Sequence, residues 1–424
     1  MDKLIVHGGN QLSGQINISG SKNASLPILA ASLLTDEKVT IANVPDVSDT
    51  NYMLQILSAL GAEVERFSGR FNIEAESVLT GAPYELVRKM RASICVMGPL
   101  LARLGETRVS MPGGCVIGDR PIDLHLKGLE ALGATVEMDG GDMVVSAPNG
   151  LTGTEIDLRG KHGPTVLGTD NVMMAATLAK GTTIINSAAC EPEVVDLANF
   201  LISMGAKISG AGTRRVTIEG VEKLHGTTWN VIPDRIEAGT FMIAGAMAAG
   251  PEGITLNRIN RPHLAVITEK LEEAGHLCQF SNDDTSITII PGEAPQGCEI
   301  TTNPFPQFPT DMQAQFTAMF ATTPGISIVE DTIYPQRFMH CSEMKRMGAE
   351  INVDNGRAII KGVEKLSAAP VMASDLRASA ALVLAGLTAD GSTHISRLYH
   401  IDRGYEHIDD KLLRLGAKVE RVPE

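Results

Sequence analysis

The chain has 424 residues, 43% of them apolar, 20% charged and only 4% aromatic, with a formal charge of −14. The length argues for more than one domain, and the balance is that of a chain able to bury large cores. So acidic a protein presents no sequence-wide field to nucleic acid or to an anionic membrane, and an anionic ligand would need a local cluster of Arg and Lys.

In chain order, the first predicted element is a helix over residues 26–34, apolar on nearly every face and preceded by Ser21-Lys22-Asn23. An amphipathic helix follows, in which Met53, Leu54, Ile56, Leu57 and Leu60 keep the three-and-four spacing of a single face. Gly61 ends it in a left-handed cap, and the alternating run Ala62-Glu63-Val64-Glu65-Arg66 reads as a strand. A second all-apolar helix is predicted over 91–104, opening on Arg91-Ala92-Ser93. The next segment, Met111-Pro112-Gly113-Gly114-Cys115-Val116-Ile117-Gly118-Asp119-Arg120-Pro121, is too rich in Gly and Pro to be helix or strand and reads as a loop. Further all-apolar helices are predicted over 170–179, 236–249, 312–321 and 376–387, and amphipathic ones through Val194, Leu197, Phe200 and Leu201 and through Leu412, Leu413 and Leu415. Gly turns lead into β-branched strands at Gly181-Thr182-Thr183-Ile184-Ile185 and Gly391-Ser392-Thr393-His394-Ile395.

These elements repeat. A short phrase recurs as Leu60-Gly61-Ala62, Leu132-Gly133-Ala134, Met204-Gly205-Ala206, Ala274-Gly275-His276, Met347-Gly348-Ala349 and Leu415-Gly416-Ala417, about 70 residues apart. Each copy carries one helix that is apolar all round, which must be buried on every side or lie in a membrane; at these lengths only burial is open. Six units are too many for one small core, so two globules of three are expected, dividing near residues 229–234. The first twenty or so residues are left free to complete the second globule. The expected fold is α/β, a two-domain inside-out α/β barrel of six βαβαββ-like repeats with helices within and sheets outside. Its domains are 22–230, and 1–21 with 231–424.

The starts of the buried helices carry charge: Lys22, Arg91, Asp234-Arg235, Thr310-Asp311 and Asp375-Leu376-Arg377. Asp and Thr there are ordinary helix caps, which is the plain reading of Asp311 and Asp375. Lys22, Arg91, Arg235 and Arg377 oppose the helix dipole and add positive charge where backbone N–H groups already favour anions. In the loop, an Arg beside a Cys can lower a thiol pKa, making Cys115 a candidate acid or nucleophile against the bland alternative of an inert cysteine. The other cysteines (Cys95, Cys190, Cys278, Cys298, Cys341) form no C-x-x-C pair, and His125, His340, His400 and His407 have no ligand spacing, so no metal is expected. The start of the chain lacks a signal-peptide hydrophobic run, and a cytoplasmic location is expected. The residues alone stop at an anion-binding enzyme with a candidate catalytic cysteine.

The chain also resembles the UDP-N-acetylglucosamine enolpyruvyl transferases, essentially from end to end. The resemblance rests on Gly20-Ser21-Lys22-Asn23-Ala24, Met90-Arg91-Ala92-Ser93, Pro112-Gly113-Gly114-Cys115, Phe308-Pro309-Thr310-Asp311-Met312-Gln313-Ala314-Gln315, Arg337-Phe338-Met339-His340, Asp375-Leu376-Arg377-Ala378-Ser379 and Tyr399-His400-Ile401-Asp402-Arg403-Gly404-Tyr405-Glu406. It implies an inside-out α/β barrel pair closing on a sugar nucleotide, and addition–elimination between phosphoenolpyruvate and UDP-N-acetylglucosamine at the start of peptidoglycan synthesis. By the same resemblance Cys115 protonates the methylene carbon, forms a covalent phosphoenolpyruvate adduct and is alkylated by fosfomycin. Asp311 is the base or proton shuttle at the attacking hydroxyl. Lys22, Arg120 and Arg403 clamp phosphate and carboxylate, with Asn23 at the same site. Arg337 and Asp375 belong to the reacting centre, and Arg377 supports it. Arg91, Arg120, Pro121, Ile122, Asp123, Leu124 and Ile333 are implied sugar-nucleotide contacts. Thr165 and Val166 stand where the family has Ser and Val at the diphosphate, but Leu167 replaces its Gly. No cofactor, nucleic acid, membrane or obligate protein partner is implied. The sister enzyme acting on shikimate 3-phosphate, a catalytically silent sugar-nucleotide binder and a purely structural repeat protein are the competing readings.

Overall fold

The computed structural model describes residues 2–110 and 122–424. The chain divides into two compact units. One is made of residues 2–19 and 233–424, the other of residues 20–232 without the segment outside the described residues. Each has its own hydrophobic core.

In the 20–232 unit the apolar helices are Lys22–Ala31, Met97–Leu104 and Val166–Ala176. In the other they are Arg235–Ala248, Gln313–Phe320 and Leu376–Thr388. All but Met97–Leu104, whose last turn emerges from the core, are buried along nearly their whole length, as an all-round apolar surface requires. The helix predicted over 91–104 begins as a 3₁₀ segment, Arg91–Val96, and the 312–321 helix is likewise entered through the 3₁₀ turn Thr310–Met312. Two helices start earlier than apolar periodicity indicated, at Lys22 and Val166. The first opens on the polar Lys22 and Asn23, the second on Val166-Leu167-Gly168, and both are capped by side chains, Ser21 and Thr165, which accept from the backbone N–H groups of Ala24 and Gly168.

The recurring glycines do what the phrase predicted. Gly61, Gly133, Gly205, Gly275, Gly348 and Gly416 all have φ between 89° and 103°, where a Cβ is strained, and each follows an amphipathic helix.

The sheets lie over the helices and share a plan. Strand Ile326–Asp331 runs parallel to Glu299–Thr302 and antiparallel to Arg357–Lys361, with Glu350–Asp354 on the outer edge. The same order recurs around Ala249–Asn257, Val39–Ala42 and Thr182–Asn186. In the sheet built on Ser392–Ser396, the third position is filled by the first strand of the chain, Asp2–His7, which pairs antiparallel with Ser392–Ser396 and with Lys418–Pro423. Strand Leu12–Asn17 fills the first position beside Ala249–Asn257.

The chain passes between the units at 19–20 and again at 232–233. On one side of this passage Ser21 N–H donates to the Ile232 carbonyl, and on the other Asp234 N–H donates to the Ser19 carbonyl. Asp196 braces the second passage: its carboxylate accepts from Trp229 Nε1 and from the Ile232 N–H, both at 3.2 Å. Burial raises this carboxyl to about 6, against the lowering effect of those two donors. A folded-state value above the ordinary 3.8 means that the contribution of Asp196 to stability is full below 3.8 and is lost as pH rises through about 6. Asp196→Asn, whatever its offset, should therefore gain on the native protein by about 3 kcal/mol between pH 4 and pH 8. Urea midpoints across that range check this, and parallel curves for the two proteins would refute it.

Candidate active site

In the unit formed by residues 2–19 and 233–424, three of the helix-start residues meet. Asp311 lies in the 3₁₀ turn Thr310–Met312 and does not act as the cap that its position suggested. Its Oδ1 accepts from Arg337 Nη1 at 2.8 Å, and its Oδ2 from Arg377 Nη2 at 3.1 Å. The two guanidiniums are 7% and 3% exposed and the carboxylate 27%, so the cations are fixed in protein and the acid reaches solvent. Burial works against the charge of Arg337, but Asp311 and Asp375 outweigh it and the group stays strongly basic. Arg377 is likewise opposed by burial and held above its ordinary range by Asp311, Tyr405 and Asp234. Both remain cations at any working pH.

Asp375 does cap its helix: Oδ1 accepts from the N–H groups of Arg377 and Ala378 at 2.9 and 3.1 Å. It thereby fixes the backbone that presents Arg377. Arg337 also donates to Thr310 Oγ1 at 3.2 Å, and its Nε is buried with no hydrogen-bond partner among the described residues. Thr310 in turn donates to Asp331 Oδ2 at 2.6 Å. Asp331, which the sequence reading did not single out, is the brace of this corner. Its Oδ1 accepts from Thr302 Oγ1 and from the backbone of Ile333 and Tyr334, so it ties Ile333 to the turn carrying Asp311. Its signal in the sequence was faint: an acid at the end of an alternating strand. Arg403 is half-buried in the 3₁₀ turn Leu398–Arg403; burial lowers the basicity of His400, against the pull of Asp375, and Arg403 adds to the lowering.

In the 20–232 unit, Lys22 opens its helix and its Nζ lies 3.4 Å from Asp49 Oδ2, a pair 12% and 3% exposed; Asn23 is half-buried beside it. Asp49, also missed, looked like a first-turn acid of the Ser48–Ala59 helix. Arg91 opens the 3₁₀ segment and acts on His125. Burial and then Arg91 lower the imidazole to about 3, so it is neutral at any physiological pH. Asn171 donates one amide hydrogen to the Ile94 carbonyl and the other to His125 Nδ1, both at 2.9 Å, which leaves the ring proton on Nε2. Ile122 is buried, Leu124 half-buried and Asp123 exposed at the start of the Asp123–Ala131 helix. Thr165 and Val166 are half-buried at the cap of theirs. Cys115, Arg120 and Pro121 lie outside the described residues. Among the described residues no group of His, Cys, Asp and Glu could hold a metal ion, and no helix is long and apolar enough to cross a membrane.

An acid flanked by two fixed cations can accept a proton from a hydroxyl while the cations stabilise an anion beside it. Over residues 6–412 the chain matches the family model described as EPSP synthase (3-phosphoshikimate 1-carboxyvinyltransferase). The chain belongs to the EPSP synthase family. Among curated members of wider enolpyruvyl transferase kinship, it is 65% identical over 424 residues to the UDP-N-acetylglucosamine 1-carboxyvinyltransferase of Akkermansia muciniphila, covering all of this chain and 99% of that one. It is 56% identical over 422 residues to the protein of the same name in Methylacidiphilum infernorum, again covering 100% and 99%. Of solved structures, the enolpyruvyl transferase NikO from Streptomyces tendae matches with a TM-score of 0.89 at 26% identity, covering 100% of this chain and 99% of that one. An EPSP synthase from Acinetobacter baumannii, 17% identical with a TM-score of 0.76 over the whole of both chains, shares the fold. The buried helices and outer sheets of each unit are thus those of the EPSP synthase family, an inside-out α/β arrangement.

Proposed function

We propose that this member of the EPSP synthase family transfers the enolpyruvyl group of phosphoenolpyruvate to the 3′-hydroxyl of UDP-N-acetylglucosamine, releasing phosphate, as the first committed step of peptidoglycan synthesis in the cytoplasm. The observation that carries the reading is the 65% identity, end to end, to a protein named for that activity. The reading gives Asp311 the hydroxyl proton. The freed oxygen attacks C2 of phosphoenolpyruvate while the Cys115 thiol protonates C3, giving a tetrahedral ketal. A proton then leaves C3, the C2–O bond to phosphate breaks with its electrons on phosphate, and the enol ether is restored.

Lys22, Asn23 and Arg120 take phosphoenolpyruvate. Arg91, Pro121, Ile122, Asp123, Leu124, Thr165 and Val166 take the sugar nucleotide. Arg403 clamps the phosphoenolpyruvate carboxylate, Arg337 and Asp375 shape the reacting centre, Arg377 supports Asp311 and Ile333 touches the sugar nucleotide. Planar guanidiniums suit carboxylate and phosphate, and the geometry of Arg337 and Arg377 on Asp311 supports a centre of fixed cations. Cys115 is also the residue that fosfomycin would alkylate.

A phosphate-release assay tests the whole. Phosphoenolpyruvate with UDP-N-acetylglucosamine should liberate phosphate, and either substrate alone should not. Release with shikimate 3-phosphate instead would move the chain to the sister activity, and release with neither acceptor would leave a silent binder.

A further inference from the structure

The side chain of Arg337 is held by few bonds. Among the described residues its guanidinium hydrogen-bonds through Nη1, to Asp311 Oδ1 at 2.8 Å and to Thr310 Oγ1 at 3.2 Å, while its Nε is buried without a partner. Thr310 is therefore the second point that keeps this cation from turning about Asp311. A guanidinium only donates, so the Thr310 oxygen accepts from Arg337, and its own hydrogen goes to Asp331 Oδ2 at 2.6 Å. The other end of Arg337 leads to the same acid. Its backbone N–H donates to the Tyr334 carbonyl at 2.9 Å, and the Tyr334 N–H donates to Asp331 Oδ1 at 2.7 Å. Asp331 is itself well anchored: it is 1% exposed, it ends the strand Ile326–Asp331, and its N–H donates to the Gly356 carbonyl at 2.8 Å. One carboxylate thus holds Arg337 both by its backbone and by its tip.

We propose that Asp331, acting through Thr310, is a positioning residue that sets the Arg337 guanidinium against the Asp311 carboxylate. The task calls for an acid rather than an amide. Four donors converge on it: Thr302 Oγ1 and the N–H groups of Ile333 and Tyr334 on Oδ1, and the Thr310 hydroxyl on Oδ2. An asparagine with its oxygen turned to the first three would aim Nδ2 at Thr310, whose hydrogen then has no acceptor there. Turned the other way, it would set donor against donor at Ile333 and Tyr334. The kinetic part of the inference rests on the proposed function; the part concerning the placement of Arg337 does not.

Thr310→Val nearly keeps the shape of the side chain and removes the hydroxyl. It is expected to lower kcat about ten-fold with KM for both substrates within about two-fold, the loss of one hydrogen bond to a charged group. Asp331→Asn should act in the same direction, whereas Thr310→Ser, which keeps the hydroxyl, should stay within about two-fold of native. Native turnover in either Thr310→Val or Asp331→Asn overturns the proposal. In an Arg337→Met background Thr310→Val should cost no further turnover, because the group it positions is gone; losses that multiply in the double variant show a merely structural role and overturn it as well. Crystal structures give a readout independent of turnover. In Thr310→Val the Arg337 guanidinium should leave its native place beside Asp311, and an unmoved guanidinium overturns the proposal whatever the kinetics. If the native protein itself releases no phosphate, the proposed function is lost, and the crystal structures alone decide whether Asp331 and Thr310 position Arg337.

Discussion

Replacing Asp311 by asparagine is expected to lower phosphate release by about a thousand-fold, within the range that removal of a positioned acid–base group produces. The amide keeps the shape of the side chain and one acceptor oxygen, so at least one of the contacts to Arg337 Nη1 and Arg377 Nη2 survives. What disappears is the negative charge between two buried cations and the capacity to take a proton. The KM values should move by only a few-fold, because the proposed role is in the chemical step. Stability should fall by about 1–2 kcal/mol: two buried guanidiniums lose a counter-charge, but the carboxylate is 27% exposed and water moderates the loss. Steady-state phosphate release with a thermal melt separates these effects. Turnover above a tenth of native would remove Asp311 from proton transfer.

The largest effect on stability is expected at Lys411. Its ammonium donates to Ser19 Oγ at 2.6 Å and forms an ion pair with Glu237, with the two side chains 12% and 3% exposed. Glu237 also accepts from the Ser19 N–H at 2.7 Å, and Ser19 Oγ donates to Glu406. The cluster thus grips the residue at which the chain leaves one unit for the other. Burial raises the Glu237 carboxyl, and Lys411 is the first of the groups that pull it down. Lys411→Met leaves that carboxylate buried with its main counter-charge gone, a loss of about 3–5 kcal/mol. The sign of the pH dependence follows. A carboxyl raised in the folded state contributes least above its folded value, so the variant should be most destabilised at pH 8 and recover towards pH 5 as Glu237 takes up a proton. Urea unfolding at the two pH values tests this, and the double variant Glu237→Gln/Lys411→Met should regain most of the loss. A single variant as stable as the native protein at pH 8 would show that the pair is dispensable.

Much of the fold was legible because it depends on patterns that no polar detail can hide. A helix with Ile28, Leu29, Ala30 and Ala31 on successive faces has nowhere to go but inside, and a glycine after Leu60 or Leu415 marks a left-handed turn. What apolar periodicity cannot see is a polar first turn, so the start at Lys22 lies several residues before the apolar run, while the start at Val166 is set by the Thr165 cap. The candidate site divides along the same line. Charged residues at helix starts stood out, and two of them, Asp311 and Arg377, come together, joined by Arg337, which only the family resemblance indicated. The plain reading of Asp311 as a cap was wrong, because its carboxylate turns to the two arginines, while Asp375 caps as expected. Asp331 and Asn171 stayed hidden for a different reason. Each acts through partners far away in sequence, such as Thr310 and His125, and nothing local in the chain distinguishes a bracing acid or amide from an ordinary one.

The placement of strand Asp2–His7 between Ser392–Ser396 and Lys418–Pro423 has a consequence for biosynthesis. At ribosomal speeds of about 5–20 residues per second, Leu4 and Val6 must wait on the order of 20–80 s for both neighbours to be made. The 20–232 unit, contiguous in the nascent chain, meets no such delay. An apolar β-segment left without neighbours for that time is what holdase chaperones recognise, so newborn copies of this protein should depend on them through their first few residues rather than their last.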